Sequence, residues 1–111
     1  MSTIKTEALR AALARRPCDE QWEIVEDIWP DEIPLTMETL ARARELDLDL
    51  EWLGHHLPDT IRTEYRRVRA VAWSEYGRTS DVAWAPALAE YVRVRNAALL
   101  DAVRRLAKVT P

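Results

Sequence analysis

Apolar residues recur at helical spacing along most of the chain. Over residues 3–16, Ile4, Leu9, Ala12 and Leu13 form an approximate stripe, and Arg15 and Arg16 suit the negative end of a helix. A first helix is therefore predicted up to Pro17. A second follows over residues 19–29. Asp19 and Glu20 fall in its first turn, and Trp22, Val25, Ile28 and Trp29 share one face. Pro30 and Pro34 bracket a loop. Thr36 is placed to cap a third helix over 37–46. In residues 47–58, Leu48, Leu50 and Trp52 alternate as in a strand, but a lone short strand would have no partner. A short helix from Asp49 to His56, closed near Gly54 or Pro58, fits better. Asp59 or Thr60 then caps a long helix to about Tyr76. Gly77 predicts a stop, Ser80 a new cap, and a last helix runs from about Asp81 to Val109, with Pro86 near its start.

The long C-terminal stretch repeats itself. EYRRVRAVAWS at 64–74 is followed directly by EYGRTSDVAWA at 75–85, and a third copy, EYVRVRNAALL, begins at Glu90 after four inserted residues. Eleven residues make about three helical turns, so each copy returns to nearly the same face. Ile61, Tyr65, Val68, Ala72 and Tyr76 fall on one stripe, which reads as core. Arg62, Arg66, Arg69 and Trp73 form a second stripe. It is either an intrahelical arrangement of Arg stems over a ring or a recognition surface. In the third copy and beyond, Trp84, Leu88, Tyr91, Leu99, Ala102, Leu106 and Val109 share a face with Arg95 among them. An arginine in that setting requires a carboxylate or carbonyl partner, which the first half can supply.

Composition supports a folded, helical chain. Of 111 residues, 48% are apolar and 32% charged, with only two glycines and no phenylalanine, so Trp, Tyr, Leu and Ile must anchor the core. The fold class predicted is all-α: a single domain over 1–111, a bundle of about five helices in which two long C-terminal repeat helices (59–111) pack on an acidic N-terminal part (1–58). One cysteine, Cys18, excludes an internal disulfide and points to a reducing, cytoplasmic setting, where Cys18 is expected as a semi-buried helix-start residue. The apolar runs are too short to span a bilayer, and the first residues lack a signal-peptide core.

Charge changes the picture more. The net charge is −3, yet residues 1–60 hold 14 acidic and 6 basic groups, and residues 61–111 hold 5 acidic and 10 basic. The halves either attract one another within the fold or present signed surfaces to partners. Asp19, Glu20, Glu23, Glu26, Asp27, Asp31 and Glu32 form a run with no basic residue between them. It is either a solvated face or a patch that docks on a basic protein surface, such as one that normally holds nucleic acid.

Catalytic and metal chemistry find little support. His55 and His56 are adjacent and point about 100° apart on a helix, and no CxxC or HxxxH spacing joins them to Cys18. No Gly-rich phosphate loop is present. No catalytic residue, metal or other cofactor is expected.

The repeat itself, EYxRV(R)xxAW, resembles tandem EYxRV repeats in small uncharacterised bacterial and phage proteins. Pro-Cys-Asp-Glu-Gln at 17–21, the Trp-Pro loop after it and LDLEWLGHHLP at 48–58 are similar to segments that precede such repeats, so the resemblance spans roughly residues 17–106. It implies a phage or mobile-element setting and brings no catalytic residue. The expected function is non-enzymatic protein binding, as an inhibitor of a host defence complex that handles nucleic acid. The alternative is a nucleic-acid-binding module using the Arg62–Arg66–Arg69–Trp73 stripe, against which the acidic pI of 5.4 weighs. Association with further copies of the chain stays open.

Overall fold

The computed structural model describes residues 2–109, with side chains described at all of these except 79–85. In chain order the elements are β1 (Thr3–Lys5), α1 (Thr6–Ala12), α2 (Asp19–Ile28), β2 (Glu32–Pro34), α3 (Met37–Glu45), α4 (Leu50–His55) and α5 (Asp59–Val109). The fold is mostly α, as the helical spacing predicts, but it is not purely so. β1 and β2 pair antiparallel, with Ile4 opposite Ile33. Both isoleucines are buried while their neighbours Lys5 and Glu32 face water, the period-two alternation of a half-buried ribbon. The ribbon corrects two expectations. The chain start is a strand where a helix from residue 3 was predicted, and the Pro30–Pro34 segment carries a strand where a loop was predicted. Backbone bonds extend the pairing: Leu35 donates to the Ser2 carbonyl, and Thr6 to that of Asp31.

α1 is also shorter than its apolar stripe suggests. After Ala12 the backbone turns extended at Leu13, and the Ala14 N–H donates to the His56 carbonyl at 2.7 Å instead of continuing the helix. α2 follows its predicted span almost to the residue. Trp22 is buried, and Val25 and Trp29 pack on the same core. Cys18, just before it, is exposed and not semi-buried. The two caps read from sequence are in place: the Thr36 side chain accepts from the Thr39 N–H, and Asp49 from the Trp52 N–H. Between α3 and α4 the chain reverses through Asp47, whose φ of 58° is one that Asp tolerates better than most residues.

α5 holds the largest departure. A straight helix of its 51 residues would be about 76 Å long. The molecule's longest dimension is 44 Å. The element therefore doubles back, and its arms over 59–78 and 86–109 lie antiparallel. Trp73 meets Tyr91 edge-on at 5.1 Å, and Tyr76 lies 6.0 Å from the same ring. Towards the base, Ile61 and Tyr65 face Ala98, Ala102 and Arg105. The predicted stop at Gly77 is absent, since helical backbone runs through Gly77 and Arg78. The predicted cap at Ser80, the helix start at Asp81 and the face position of Trp84 lie outside the described residues. At the far end Val109, expected on the core face, is 74% exposed.

One core cluster joins all of this. It runs from Ile4 and Leu9 through Trp22, Ile33, Leu40 and Leu57 to Ile61, Tyr65, Leu99, Val103 and Leu106. Arg104 ties the second arm back to the N-terminal part by donating to the Leu35 carbonyl at 2.9 Å. Among the described residues no helix is long and apolar enough to cross a membrane.

Candidate functional site

The densest polar arrangement is built around Glu51 in the first turn of α4. Its Oε2 accepts from Arg69 Nε at 2.6 Å. Its Oε1 accepts from the Tyr91 hydroxyl at 2.6 Å and from Arg95 Nη1 at 2.9 Å. Arg95 is buried, and its Nε and Nη2 both donate to Asn96 Oδ1. The arginine that needed a partner thus finds one in the acidic half. Burial by itself would raise the Glu51 pKa, but the hydrogen bonds from Tyr91, Arg95 and Arg69 outweigh it and hold the carboxyl below its ordinary value. The phenol of Tyr91 is pushed up to about 12 by burial and by its bond to the carboxylate. His55 Nε2 lies 4.0 Å from Glu51 Oε2. Burial, followed by the charges of Arg69 and Arg66, keeps the His55 pKa low, so the ring is neutral at pH 7.

The sequence repeat explains this geometry. Counting each copy from its Glu, the sixth residue is Arg69 in the first and Arg95 in the third, and both grip the same carboxylate. The second residue is Tyr65 in one and Tyr91 in the other, and both are buried beside α4. Antiparallel arms carrying the same motif present it from opposite sides, so a carboxylate between them is clamped nearly symmetrically. The first and fourth residues form an ion pair one turn apart in all three copies: Glu64–Arg67 at 2.7 Å, Glu75–Arg78 at 3.4 Å and Glu90–Arg93 at 2.6 Å. These exposed pairs support the helix and contribute little each. At the sixth place the second copy carries Ser80, so it lacks the clamping arginine.

α4 lies close enough for this contact because of Gly54. A Cβ there would stand 2.3 Å from Cε2 of Tyr65. Tyr65 is 1% exposed, and its hydroxyl is buried with no hydrogen-bond partner among the described residues. Burial, and secondly the nearby Glu51 charge, push its pKa well above the ordinary phenol range. Tyr65→Phe therefore removes a group that is desolvated without compensation. Its expected effect on stability lies between neutral and a gain of about 1 kcal/mol, whereas Tyr91→Phe, which breaks a bond to a carboxylate, loses about 1.5 kcal/mol. Urea denaturation of the two variants side by side checks the contrast.

The two surfaces singled out in the sequence fare differently. Asp19, Glu20, Glu23, Glu26, Asp27, Asp31 and Glu32 are all exposed. Asp19 pairs with Arg16 and Glu26 with Arg10, while among the described residues Glu20, Glu23, Asp27, Asp31 and Glu32 form no ion pair, although Lys5 stands opposite Glu32 in the ribbon. Glu20, Glu23 and Asp27 lie on one face of α2, opposite the face of Trp22, Val25 and Trp29. The Arg/Trp stripe does not stay together as a free surface. Arg62 pairs with Asp59 and donates to the His55 carbonyl, and Arg69 is held by Glu51. Arg66 is exposed, and Trp73 is 51% exposed with the Arg69 guanidinium 5.6 Å from its ring. The stripe thus mixes the intrahelical arrangement with a remnant of open surface.

Elsewhere the structure holds an apolar cavity of about 110 Å³, walled by Trp22, Val25, Trp29, Leu40, Leu100 and Val103 among others. Gln21 in its wall is committed to the backbone of Asp47 and Asp49, so it is a brace between α2 and the α4 cap. Among the described residues no group of three His, Cys, Asp or Glu is placed to hold a metal ion. Sequence reasoning missed Glu51. It stands among many carboxylates, and its one distinguishing signal is that it lies one turn from Gly54, on the side of α4 that must face α5. No family model, curated protein or solved structure matches the chain.

Proposed function

We propose that this chain is a non-enzymatic protein-binding protein that docks through the acidic face of α2 and the turn after it. The observation that carries this reading is the set of five exposed carboxylates, Glu20, Glu23, Asp27, Asp31 and Glu32, that form no ion pair among the described residues, although Lys5 stands opposite Glu32 in the ribbon. Such a face raises the encounter rate with a basic surface and penalises acidic competitors. The partner is a basic protein surface of the kind that normally receives nucleic acid. With the resemblance to phage and bacterial repeat proteins, this gives an inhibitor of a host defence complex that handles nucleic acid. The clamp at Glu51 is in this reading a structural device that fixes α4 on the α5 hairpin. Direct nucleic-acid binding by the Arg/Trp stripe loses support, because Arg62 and Arg69 are engaged by carboxylates of the same chain.

The test is capture of partners from host lysate by the wild-type chain and by a Glu23→Lys, Asp27→Lys, Asp31→Lys variant. All three side chains are exposed, so folding is retained. The expected result is a specific protein held by the wild type at low salt, with affinity at least about tenfold lower for the variant and falling as ionic strength rises. Retention of the same partner by both chains would overturn the acidic docking face.

A further inference from the structure

The clamp on Glu51 leaves positive charge unneutralised beside it. Two guanidiniums, those of Arg69 and Arg95, hold one carboxylate, and a third, that of Arg66, stands one turn before Arg69 on the same side of α5. Arg95 has Nε, Nη1 and Nη2 all engaged. Arg69 commits only Nε, and its two terminal nitrogens make no hydrogen bond among the described residues. Its side chain keeps 22% of its surface open. Arg66, one turn earlier on the same side of α5, is exposed and pairs with no carboxylate among the described residues. Trp73, one turn later, offers about half of its surface to water. The lowered pKa of His55, caused by burial and then by Arg69 and Arg66, is an independent sign of positive potential there.

We propose that the Arg66–Arg69–Trp73 corner is a second docking site, which receives a carboxylate side chain of an acidic partner segment and lays the apolar residue beside it on Trp73. The chemistry is already displayed within the chain. Arg69 holds the Glu51 carboxylate through Nε on one side and presents the Nη1–Nη2 end of its fork on the other. That end matches a carboxylate in bidentate fashion, and Arg66 adds a second cation. Trp and Arg next to each other at a half-open position form the combination that dominates binding energy in protein interfaces. A nucleic-acid strand is the poorer fit. It requires a row of cations along its backbone, whereas this corner has two. This site is separate from the acidic face of α2, and the two readings fail independently.

The experiment is fluorescence polarisation of the full chain with a fluorescein-labelled Asp-Leu-Glu-Leu-Asp-Leu peptide and, in parallel, with a labelled twelve-nucleotide oligo-dT, at low salt and again at physiological salt. The expected result is peptide binding that weakens with salt. Arg66→Glu lowers the affinity about tenfold or more, and Trp73→Ala lowers it roughly threefold or more. The Glu23→Lys, Asp27→Lys, Asp31→Lys variant binds the peptide at least as well as wild type. No peptide binding, binding indifferent to Arg66→Glu, or tighter binding of the oligonucleotide than of the peptide would each overturn the proposal.

Discussion

Gly54→Ala is expected to lower the stability of the fold by about 3 kcal/mol, read as a drop in the urea midpoint with an unchanged slope. Helix propensity alone predicts the opposite sign, a gain of roughly 1 kcal/mol for Gly→Ala inside a helix. Steric contact decides the outcome. The added methyl would lie 2.3 Å from Cε2, 2.4 Å from Cζ and 2.6 Å from the hydroxyl of Tyr65. Both sides of this contact resist moving. The Tyr65 ring is enclosed in the central core, and α4 is anchored one turn earlier by the three bonds to Glu51. Relief through retreat of α4 stretches those bonds, and relief through the ring breaks core packing. The penalty should therefore disappear when the ring is absent. In a Tyr65→Ala background, Gly54→Ala is expected to cost little, giving a coupling of about 2 kcal/mol between the two positions. Additive losses would show that the close approach of α4 to α5 is not what Gly54 provides.

The same contact shows why parts of this fold are legible in the sequence and parts are not. α2 is legible because Trp22, Val25 and Trp29 repeat on one face and Pro17 and Pro30 fence it. α3 and α4 are legible at their starts because Thr36 and Asp49 cap through local bonds that depend only on nearby residues. The β1–β2 ribbon is not, since three residues per strand carry no measurable period and the pairing of Ile4 with Ile33 is a long-range event. Gly77 misleads because a glycine lowers helix propensity without forbidding a helix, and nothing within 4 Å of its Cβ position makes it sterically necessary. The eleven-residue repeat correctly announces a helical face. What it does not announce is that its first and third copies converge on one side chain, because convergence follows from the antiparallel arrangement of the arms. The acidic run on α2 is exposed as a local amphipathic pattern implies, whereas the Arg/Trp stripe is divided by a carboxylate 18 residues away from Arg69.

Glu51→Ala is expected to destabilise the chain by about 3 kcal/mol. Removing one partner of a buried ion pair typically costs 3–5 kcal/mol, because the remaining charge is left desolvated, and Glu51 belongs near the lower end since about a third of its side chain stays in water. Arg95 is the reason that the loss is large at all. Its side chain is only 10% exposed, so its charge cannot be rehydrated without opening the α5 hairpin, while Arg69 at 22% can turn towards solvent over Trp73. Arg95→Ala should accordingly cost more than Arg69→Ala, although the repeat makes the two residues equivalent in sequence, and Arg95→Ala also leaves the buried Asn96 amide without its partner. Acid titration separates the charge from the packing. The Glu51 pKa in the folded state lies below its ordinary value of 4.5, which the unfolded chain retains. Its contribution is therefore fully present above pH 4.5 and is lost as pH falls through the lower folded-state value. Urea midpoints measured at falling pH should decline less steeply for Glu51→Gln than for wild type between pH 4.5 and the lower folded-state value, because over that range only the unfolded wild-type chain takes up a proton at Glu51 and the variant has none to take up. Parallel curves for the two chains would mean that Glu51 contributes through shape alone, and that the paired arginines of the first and third repeats do not depend on its charge.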